Sequence, residues 1–238
     1  MTVPRRFKVP SAKPRSVGVV ASEADLVRAA TLRRVPDAFE LRLDALHGVL
    51  SPSDPRIARL AAPIVITARH PVEGGCGNLR APARQKLLIA FLPHAAFVDV
   101  ELRSATALRS VLQGAAERRV KRIISVHALD DAPRLEQMCR WFDAACALAA
   151  DVFKVAVRVD TPAELERLIE FFEPKKQVLP ISAMGIGKLG RRSRIELARR
   201  GSALVYAHLG TANVAGQLSL QDVRRLLGAE VAPSSGLA

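Results

Sequence analysis

Eight short apolar, β-branched runs alternate with eight longer segments of helical period along this 238-residue chain. That alternation predicts an α/β fold, a single-domain (β/α)8 TIM barrel. Two further observations agree. The first run, Ser16–Val20, continues as Ala-Ser-Glu-Ala-Asp-Leu, not as the glycine-rich turn of a doubly wound, nucleotide-binding sheet. No Pro/Gly-rich linker divides the middle of the chain. Such a barrel makes a demand on the sequence: its chemistry sits at the C-terminal ends of several strands.

In chain order, residues 1–14 are expected to form a flexible basic arm. The first 15 residues hold five basic groups, no acid, and prolines at 4, 10 and 14. The prolines argue against an amphipathic targeting helix, and the apolar core of a signal peptide is missing. The barrel is expected over 15–227 and a loose tail over 228–238. Ser16–Val20 is the first strand, and Ser22 caps a helix running to Arg33. Ala38–Leu43 leads to a helix over Ser53–Leu60, Pro63–Thr67 to one over Pro82–Phe91, and Phe97–Glu101 to one over Ala105–Arg118. Arg122–Val126 leads to a helix over Asp131–Ala149, with Asp131 in a cap-like position. Val152–Val157 leads to Thr161–Phe172, whose opening Thr161-Pro162-Ala163-Glu164 is a capping box with proline at the first helical position. Val178–Ile181 with a helix over Ser193–Arg200, then Ala203–Tyr206 with a helix over Ser219–Leu227, complete the alternation.

Composition narrows the function. Apolar residues make up 49% and charged residues 25%, as in a globular chain that buries a sizeable core. No run approaches the about 18 apolar residues of a membrane span. Cys76, Cys139 and Cys146 contain no Cys-x-x-Cys pair, which argues against a zinc or redox site and fits a reduced cytoplasm. The net charge of +13, from 36 Lys+Arg against 23 Asp+Glu, attracts anions from phosphate to RNA. Yet no Lys/Arg run exceeds two, and aromatics at 4% offer little for base stacking. Nucleic acid is therefore not the expected partner.

Charged residues inside the strands carry the functional signal. Lys154 lies within Asp151-Val-Phe-Lys-Val-Ala-Val157. A barrel strand is buried on both faces, so this lysine is expected among apolar neighbours. Burial disfavours an ammonium, and a lysine that yields its proton is a nucleophile able to form a Schiff base with a ketone. An edge strand with Lys154 in water is the alternative. His127 ends the run Arg122-Ile-Ile-Ser-Val126, at the rim where a barrel moves protons; a structural histidine is the alternative. Arg69 follows Ile64-Val-Ile-Thr67, and Glu73 precedes Gly74-Gly75, which allow a tight, mobile loop. Glu40 and Arg42 share one face of the second strand, and Asp99 and Glu101 one face of the fourth. Such charges pair with a ligand or with each other, in a salt-bridged layer at the barrel mouth. Met184-Gly-Ile-Gly-Lys-Leu-Gly190 reads as a glycine-rich loop after the seventh strand. Arg191, Arg192 and Arg194 follow at a helix start, an anion-binding arrangement. Ala215-Gly216-Gln217 follows the last strand and can close over a ligand.

The ordered set formed by Glu40-Leu-Arg-Leu-Asp44, Thr67-Ala-Arg69, Glu73-Gly-Gly75, Asp99-Val-Glu101, Ser125-Val-His127, Asp151-Val-Phe-Lys154-Val-Ala156, Met184-Gly185, Ser193-Arg194, Gly201-Ser202 and Gly216-Gln217 resembles the type I 3-dehydroquinate dehydratases of the shikimate pathway. The resemblance runs from about residue 14 to 227. It implies a usually dimeric barrel without metal or cofactor, a hydro-lyase that converts 3-dehydroquinate to 3-dehydroshikimate. It implies that Lys154 forms the Schiff base, that His127 is the acid/base, and that Glu73 is the acidic partner of that histidine. It further implies that Glu40, Arg42 and Arg69 bind substrate hydroxyls and order the site, that Arg194 takes the carboxylate, and that Gln217 closes the lid. Asn213 and Met184 join the substrate contacts.

Several positions depart from the family pattern. Ala128-Leu129 stand in place of an Asp and an aromatic, and Val19 in place of a small hydroxyl residue. The closing segment is Asn213-Val-Ala-Gly-Gln217 rather than Ser-Ala-Pro-Gly-Gln, and the loop between Met184 and Arg194 is about two residues longer. These changes spare Lys154, His127 and Arg194, so activity is expected, with a weakened rate or a raised Michaelis constant. Another Schiff-base barrel such as an aldolase, or a degenerate barrel that binds anions or nucleic acid, is the alternative.

Overall fold

The computed structural model describes residues 13–228. Its strands are β1 (Arg15–Val20), β2 (Ala38–Arg42), β3 (Ile64–Thr67), β4 (Phe97–Glu101), β5 (Lys121–Ala128), β6 (Val152–Arg158), β7 (Ile181–Ile186), β8 (Leu204–His208) and the two-residue β9 (Leu218–Ser219). The helices are α1 (Glu23–Thr31), α2 (Ala81–Phe91), α3 (Arg109–Glu117), α4 (Leu135–Ala147), α5 (Pro162–Lys175), α6 (Gly190–Arg199) and α7 (Leu220–Gly228). Every strand pairs in parallel with its sequence neighbour up to β7, and β1 also pairs with β8. The sheet therefore curls into the (β/α)8 barrel that the alternation predicts. The expected arm and tail, apart from Lys13, Pro14 and Gly228, lie outside the described residues.

The seam between β7 and β8 is closed differently from the other strand pairs. The Ala203 N–H donates to Ile181 O at 2.7 Å. Beyond it, serines take over: Ser182 Oγ donates to Leu204 O at 2.7 Å, and Ser202 Oγ accepts from the Ala183 N–H at 3.0 Å. Further toward the mouth, β9 pairs with β8 at Ala207 and His208. The segment preceding β9 is thereby anchored beside the site.

Period-two alternation sorts each strand into an outer and an inner face. Outward residues such as Phe39, Ile66, Val100, Ile124 and Phe153 pack beneath the helices. There Phe142, Phe153 and Phe171 meet edge to face, with centroids 5.8 to 6.2 Å apart. Inward residues Val17, Ala38, Val65, Phe97, Ile123, Val152 and Leu204 form an apolar floor. Two positions further along their strands, Glu40, Thr67, Asp99, Ser125 and Lys154, joined by Ser182 beside Lys154 on β7, form a buried polar layer above it.

Local chemistry corrects four boundaries. The helix expected over Ser53–Leu60 is only a 3-10 turn, Ile57–Arg59. Pro52 and Pro55 lack the N–H a helix needs, and Asp54 Oδ1 captures the Arg56 N–H at 2.8 Å in a local turn. The strand expected at Val178–Ile181 is β7, Ile181–Ile186. Val178 and Leu179 instead donate to Lys175 O and prolong the end of α5, and Pro180 halts that turn. Met184 and Gly185 thus belong to the strand, and the glycine-rich loop begins at Gly187, whose φ is +92°. Asp131 does not cap α4, which starts after Pro133, with Arg134 at the cap position and no side-chain bond there. The Ser22 cap and the Thr161–Glu164 capping box are formed as expected.

Candidate active site

Lys154 sits midway along β6, its side chain inside the barrel and only 3% of the residue exposed. It is not surrounded by apolar groups, as its strand context suggests. Its Nζ donates to Asp99 Oδ2 at 2.9 Å and to Glu40 Oε1 at 3.3 Å, and it lies 3.9 Å from the centroid of the Tyr206 ring. The reason is the strand period. Glu40, Asp99 and Lys154 all fall on inward positions of the same layer, so charges apart in sequence meet as partners. Thr67 Oγ1 donates to Glu40 at 2.8 Å and Ser125 Oγ to Asp99 at 2.5 Å, which fixes both carboxylates. Burial works to raise the Asp99 carboxyl, but Arg69, Lys154 and His127 outweigh it and hold the group well below the usual carboxylate range.

Arg69 is the hub beside this cluster. Its Nη2 donates to Asp99 at 3.1 Å and its Nη1 to Ser125 Oγ at 3.0 Å, and Nη1 also lies 2.9 Å from His127 Nδ1. Burial opposes its charge, yet Asp99, Glu101 and Glu40 keep it more firmly protonated than a free arginine. His127 lies one residue before the end of β5, two residues beyond the rung where Ser125 faces Lys154. Its Nδ1 is 2.9 Å from Glu73 Oε2, and the same oxygen accepts the His127 backbone N–H at 2.9 Å. A guanidinium only donates, so Nδ1 serves either Arg69 as acceptor or Glu73 as donor. Burial, then Arg69 and Lys154, push the imidazole well below its usual range, which keeps it neutral near pH 7 and able to take a proton. Burial and the neighbouring Glu101 push the Glu73 carboxyl up to about 7.

Glycines bring Glu73 to that position. Gly74 ends the turn Pro71–Glu73 with φ +83°. A Cβ on Gly75 would stand 2.2 Å from Arg69 O. Gly74-Gly75 therefore provide a close backbone fold that returns Glu73 over β5. At the end of β2, Arg42 grips Asp44 through two bonds of 3.0 and 2.7 Å and donates to Gly74 O at 3.1 Å. Asp44 in turn accepts the N–H groups of Arg69 and Cys76 at 3.0 and 2.9 Å.

Arg194 enters from the opposite side, on α6. Only 5% of it is exposed; Nη1 reaches Met184 Sδ at 3.4 Å, and Nε has no partner among the described residues. Burial brings its guanidinium down to about 10. A buried cation without a counter-ion is a strong attractor for a carboxylate. Above it, the segment between β8 and β9 folds on itself: the Asn213 N–H donates to Gln217 Oε1 at 2.7 Å and Nδ2 to the same oxygen at 3.3 Å. Gly216 seats this segment on α6, where a Cβ would meet Arg191 N at 2.7 Å.

Lys154, His127, Glu73, Glu40, Arg42, Arg69, Arg194, Gln217, Asn213 and Met184 all line one cavity. The fold thus brings these ten residues together, whereas Arg191 and Arg192, named beside Arg194 in the sequence, are exposed, and Arg191 donates to Asp222 at 3.3 Å. Val19 lines the same cavity, and Leu129 forms part of its wall. Ala128 and Leu129 also border a wider neighbouring cavity of about 560 Å³ behind Glu73 and His127. Sequence reasoning passed over Tyr206 and Arg84, and it quoted Asp44 in a motif without giving it a role. Tyr206 ends an apolar run and gives no polar signal. The Glu-x-Arg-x-Asp spacing could have shown Asp44. Nothing in the sequence indicates that Arg84, on α2, reaches through the strands to pair with Glu101 and to donate to Ala68 O at 2.6 Å.

Comparison with known proteins places the chain among relatives of one family. A family profile described as Type I 3-dehydroquinase matches residues 16–231. The 3-dehydroquinate dehydratase of Methanothermobacter thermautotrophicus is 31% identical over 81% of this chain and 84% of its own length. That of Thermococcus gammatolerans is also 31% identical, over 80% of this chain and 86% of its own. The crystal structure of 3-dehydroquinate dehydratase from Geobacillus kaustophilus superposes with a TM-score of 0.83 at 25% identity, over 92% of this chain and 91% of that one.

Proposed function

The chain belongs to the type I 3-dehydroquinase family, a hydro-lyase family acting on 3-dehydroquinate, and from that premise we propose that it forms 3-dehydroshikimate through an iminium on Lys154. One observation carries the reading: Lys154, held by Asp99 and Glu40, shares a cavity with neutral His127 and with the unpaired, buried Arg194. A nucleophile, a proton carrier and an anion anchor are what this substrate requires.

The substrate is a β-hydroxy ketone bearing a carboxylate. Arg194 receives the carboxylate and fixes the ring over Lys154. Lys154 Nζ adds to the ketone carbon, and the carbonyl oxygen leaves as water, giving an iminium. The iminium draws electrons and acidifies the adjacent carbon. His127 takes that proton and then returns one to the departing hydroxyl, so a second water leaves. Hydrolysis of the conjugated iminium consumes one water and frees Lys154, for a net loss of one. Glu73, bonded to the backbone N–H of His127 and close to Nδ1, orients the imidazole and steadies its cation. Glu40, Arg42 and Arg69 face the substrate hydroxyls, Met184 packs beside Arg194, and Asn213 with Gln217 forms the lid. We place this activity in the cytoplasm, in line with the cysteine usage, and in a homodimer, in line with the resemblance; among the described residues no helix is long and apolar enough to cross a membrane. Light scattering of the purified chain tests the dimer.

The deciding experiment adds 3-dehydroquinate to the purified protein and follows the near-ultraviolet absorbance of the enone product. A rise that disappears in Lys154→Ala is expected. No rise at high enzyme concentration would overturn the activity, and a rise unchanged in Lys154→Ala would overturn the mechanism.

A further inference from the structure

Tyr206 is the single tyrosine of the chain. It occupies an inward position of β8, is 4% exposed, and lines the cavity that holds Lys154. Its hydroxyl oxygen is buried and has no hydrogen-bond partner among the described residues. A buried hydroxyl left unpaired forfeits its solvation without a replacement, and a bound ligand recovers that loss by supplying the acceptor. Its ring faces the reacting nitrogen, with Lys154 Nζ 3.9 Å from the centroid. The nitrogen therefore stands over the ring, and the hydroxyl projects from the ring's edge beside it. An oxygen on the carbon that Nζ attacks is two bonds from that nitrogen, which brings it within hydrogen-bond reach of the phenol.

We infer that Tyr206 is a further catalytic residue, whose hydroxyl donates to the ketone oxygen of the substrate while its ring holds Lys154 in line for attack. The inference rests on reading Lys154 as the Schiff-base lysine. As the nitrogen–carbon bond forms, the carbonyl π electrons move to oxygen. A fixed O–H donor aimed at that oxygen is worth most at that moment. The carbonyl oxygen then becomes the carbinolamine hydroxyl, still held by Tyr206. It departs as water when the carbon–oxygen bond breaks, with both of its protons coming from the original Lys154 ammonium, one of them relayed by His127. Tyr206 itself neither gains nor loses a proton over the cycle. That role suits its surroundings: burial, then Glu40 and Asp99, push its phenol well above its usual range, so it stays an O–H donor across the working pH. The ring adds a cation–π attraction that keeps the charged nitrogen over its face.

Tyr206→Phe keeps the ring and the packing and removes only the donor. In single-turnover mixing with 3-dehydroquinate, samples are quenched with borohydride at successive times and the reduced adduct on the Lys154 peptide is quantified by mass spectrometry. The variant is expected to form the adduct about 10²-fold more slowly, within the range for loss of one such donor, while reaching the same final occupancy. A second readout avoids the covalent step. In Lys154→Met, the carbonyl stretch of bound substrate is recorded by infrared difference spectroscopy, and adding Tyr206→Phe is expected to move it to higher wavenumber. Adduct formation at the wild-type rate, or an unmoved carbonyl stretch, would overturn the role of Tyr206 and leave the Schiff-base reading standing. A wild-type protein that never labels at Lys154 would overturn both.

Discussion

Buried charges decide the chemistry at the scale of single residues, and each has a measurable consequence. Among the described residues the one hydrogen-bond partner of Arg194 is the Met184 sulfur, so a substrate carboxylate is its natural counter-ion. A charge-assisted bond of about 1.5–3 kcal/mol is lost in Arg194→Met, so KM for 3-dehydroquinate is expected to rise about 10- to 100-fold, with kcat changed less; steady-state enone kinetics check this. Glu73 titrates near 7 because burial and Glu101 disfavour its charge. The folded chain thus holds that proton more tightly than the unfolded one. The resulting stability is full below about pH 4.5 and is lost as pH climbs through about 7, a swing of ~3 kcal/mol. Urea melts of wild type and Glu73→Gln from pH 4 to 8 are expected to diverge by that amount, and parallel curves would remove Glu73 as the titrating group. His127 titrates well below 6.5. The acid limb of kcat/KM is therefore expected well under that value, and a limb at 6.5 in a pH–rate profile would count against a desolvated imidazole.

At the scale of elements, turn chemistry positions these residues. The lid depends on Gly216, with φ +80° and its α-carbon against the backbone of Gly190 and Arg191. Gly216→Ala is both strained there and in collision with backbone that cannot yield. The lid is expected to unseat, raising KM several-fold to tens-fold while borohydride still labels Lys154 at saturating substrate; an unchanged KM would show that the lid does not need this seat. The Thr161–Glu164 capping box was legible because its bonds are local, and the structure forms them. The displaced β7 and the absent second helix were less legible. There an apolar run and a helical period were overridden by Pro180, Pro52 and Pro55, together with hydrogen bonds that only the local geometry reveals.

Across the whole molecule, the barrel and its surrounding helices are joined through charge as well as apolar packing. Arg84 on α2 crosses to Glu101 on β4, to Ser104 and to Ala68 O, all in the interior. Arg84→Met leaves buried Glu101 with Arg69 alone, 3.5 Å away, as its cation, and removing one partner of a buried pair costs about 3–5 kcal/mol. Urea unfolding is expected to show that loss as a lower midpoint with an unchanged slope; a loss under 1 kcal/mol would mean that Arg69 alone suffices for Glu101. The sequence by itself determined the alternation of strands and helices, the local caps, and the residue types of the site, because periodicity, capping and motif spacing are written along the chain. Only the tertiary structure decided that Lys154 rests between Asp99 and Glu40 rather than among apolar groups, that Arg194 stays unpaired, and that the Tyr206 ring lies against the reacting nitrogen. The physical reason is that these partners come from different strands, and the interior of a closed barrel is where side chains far apart in sequence share one desolvated space.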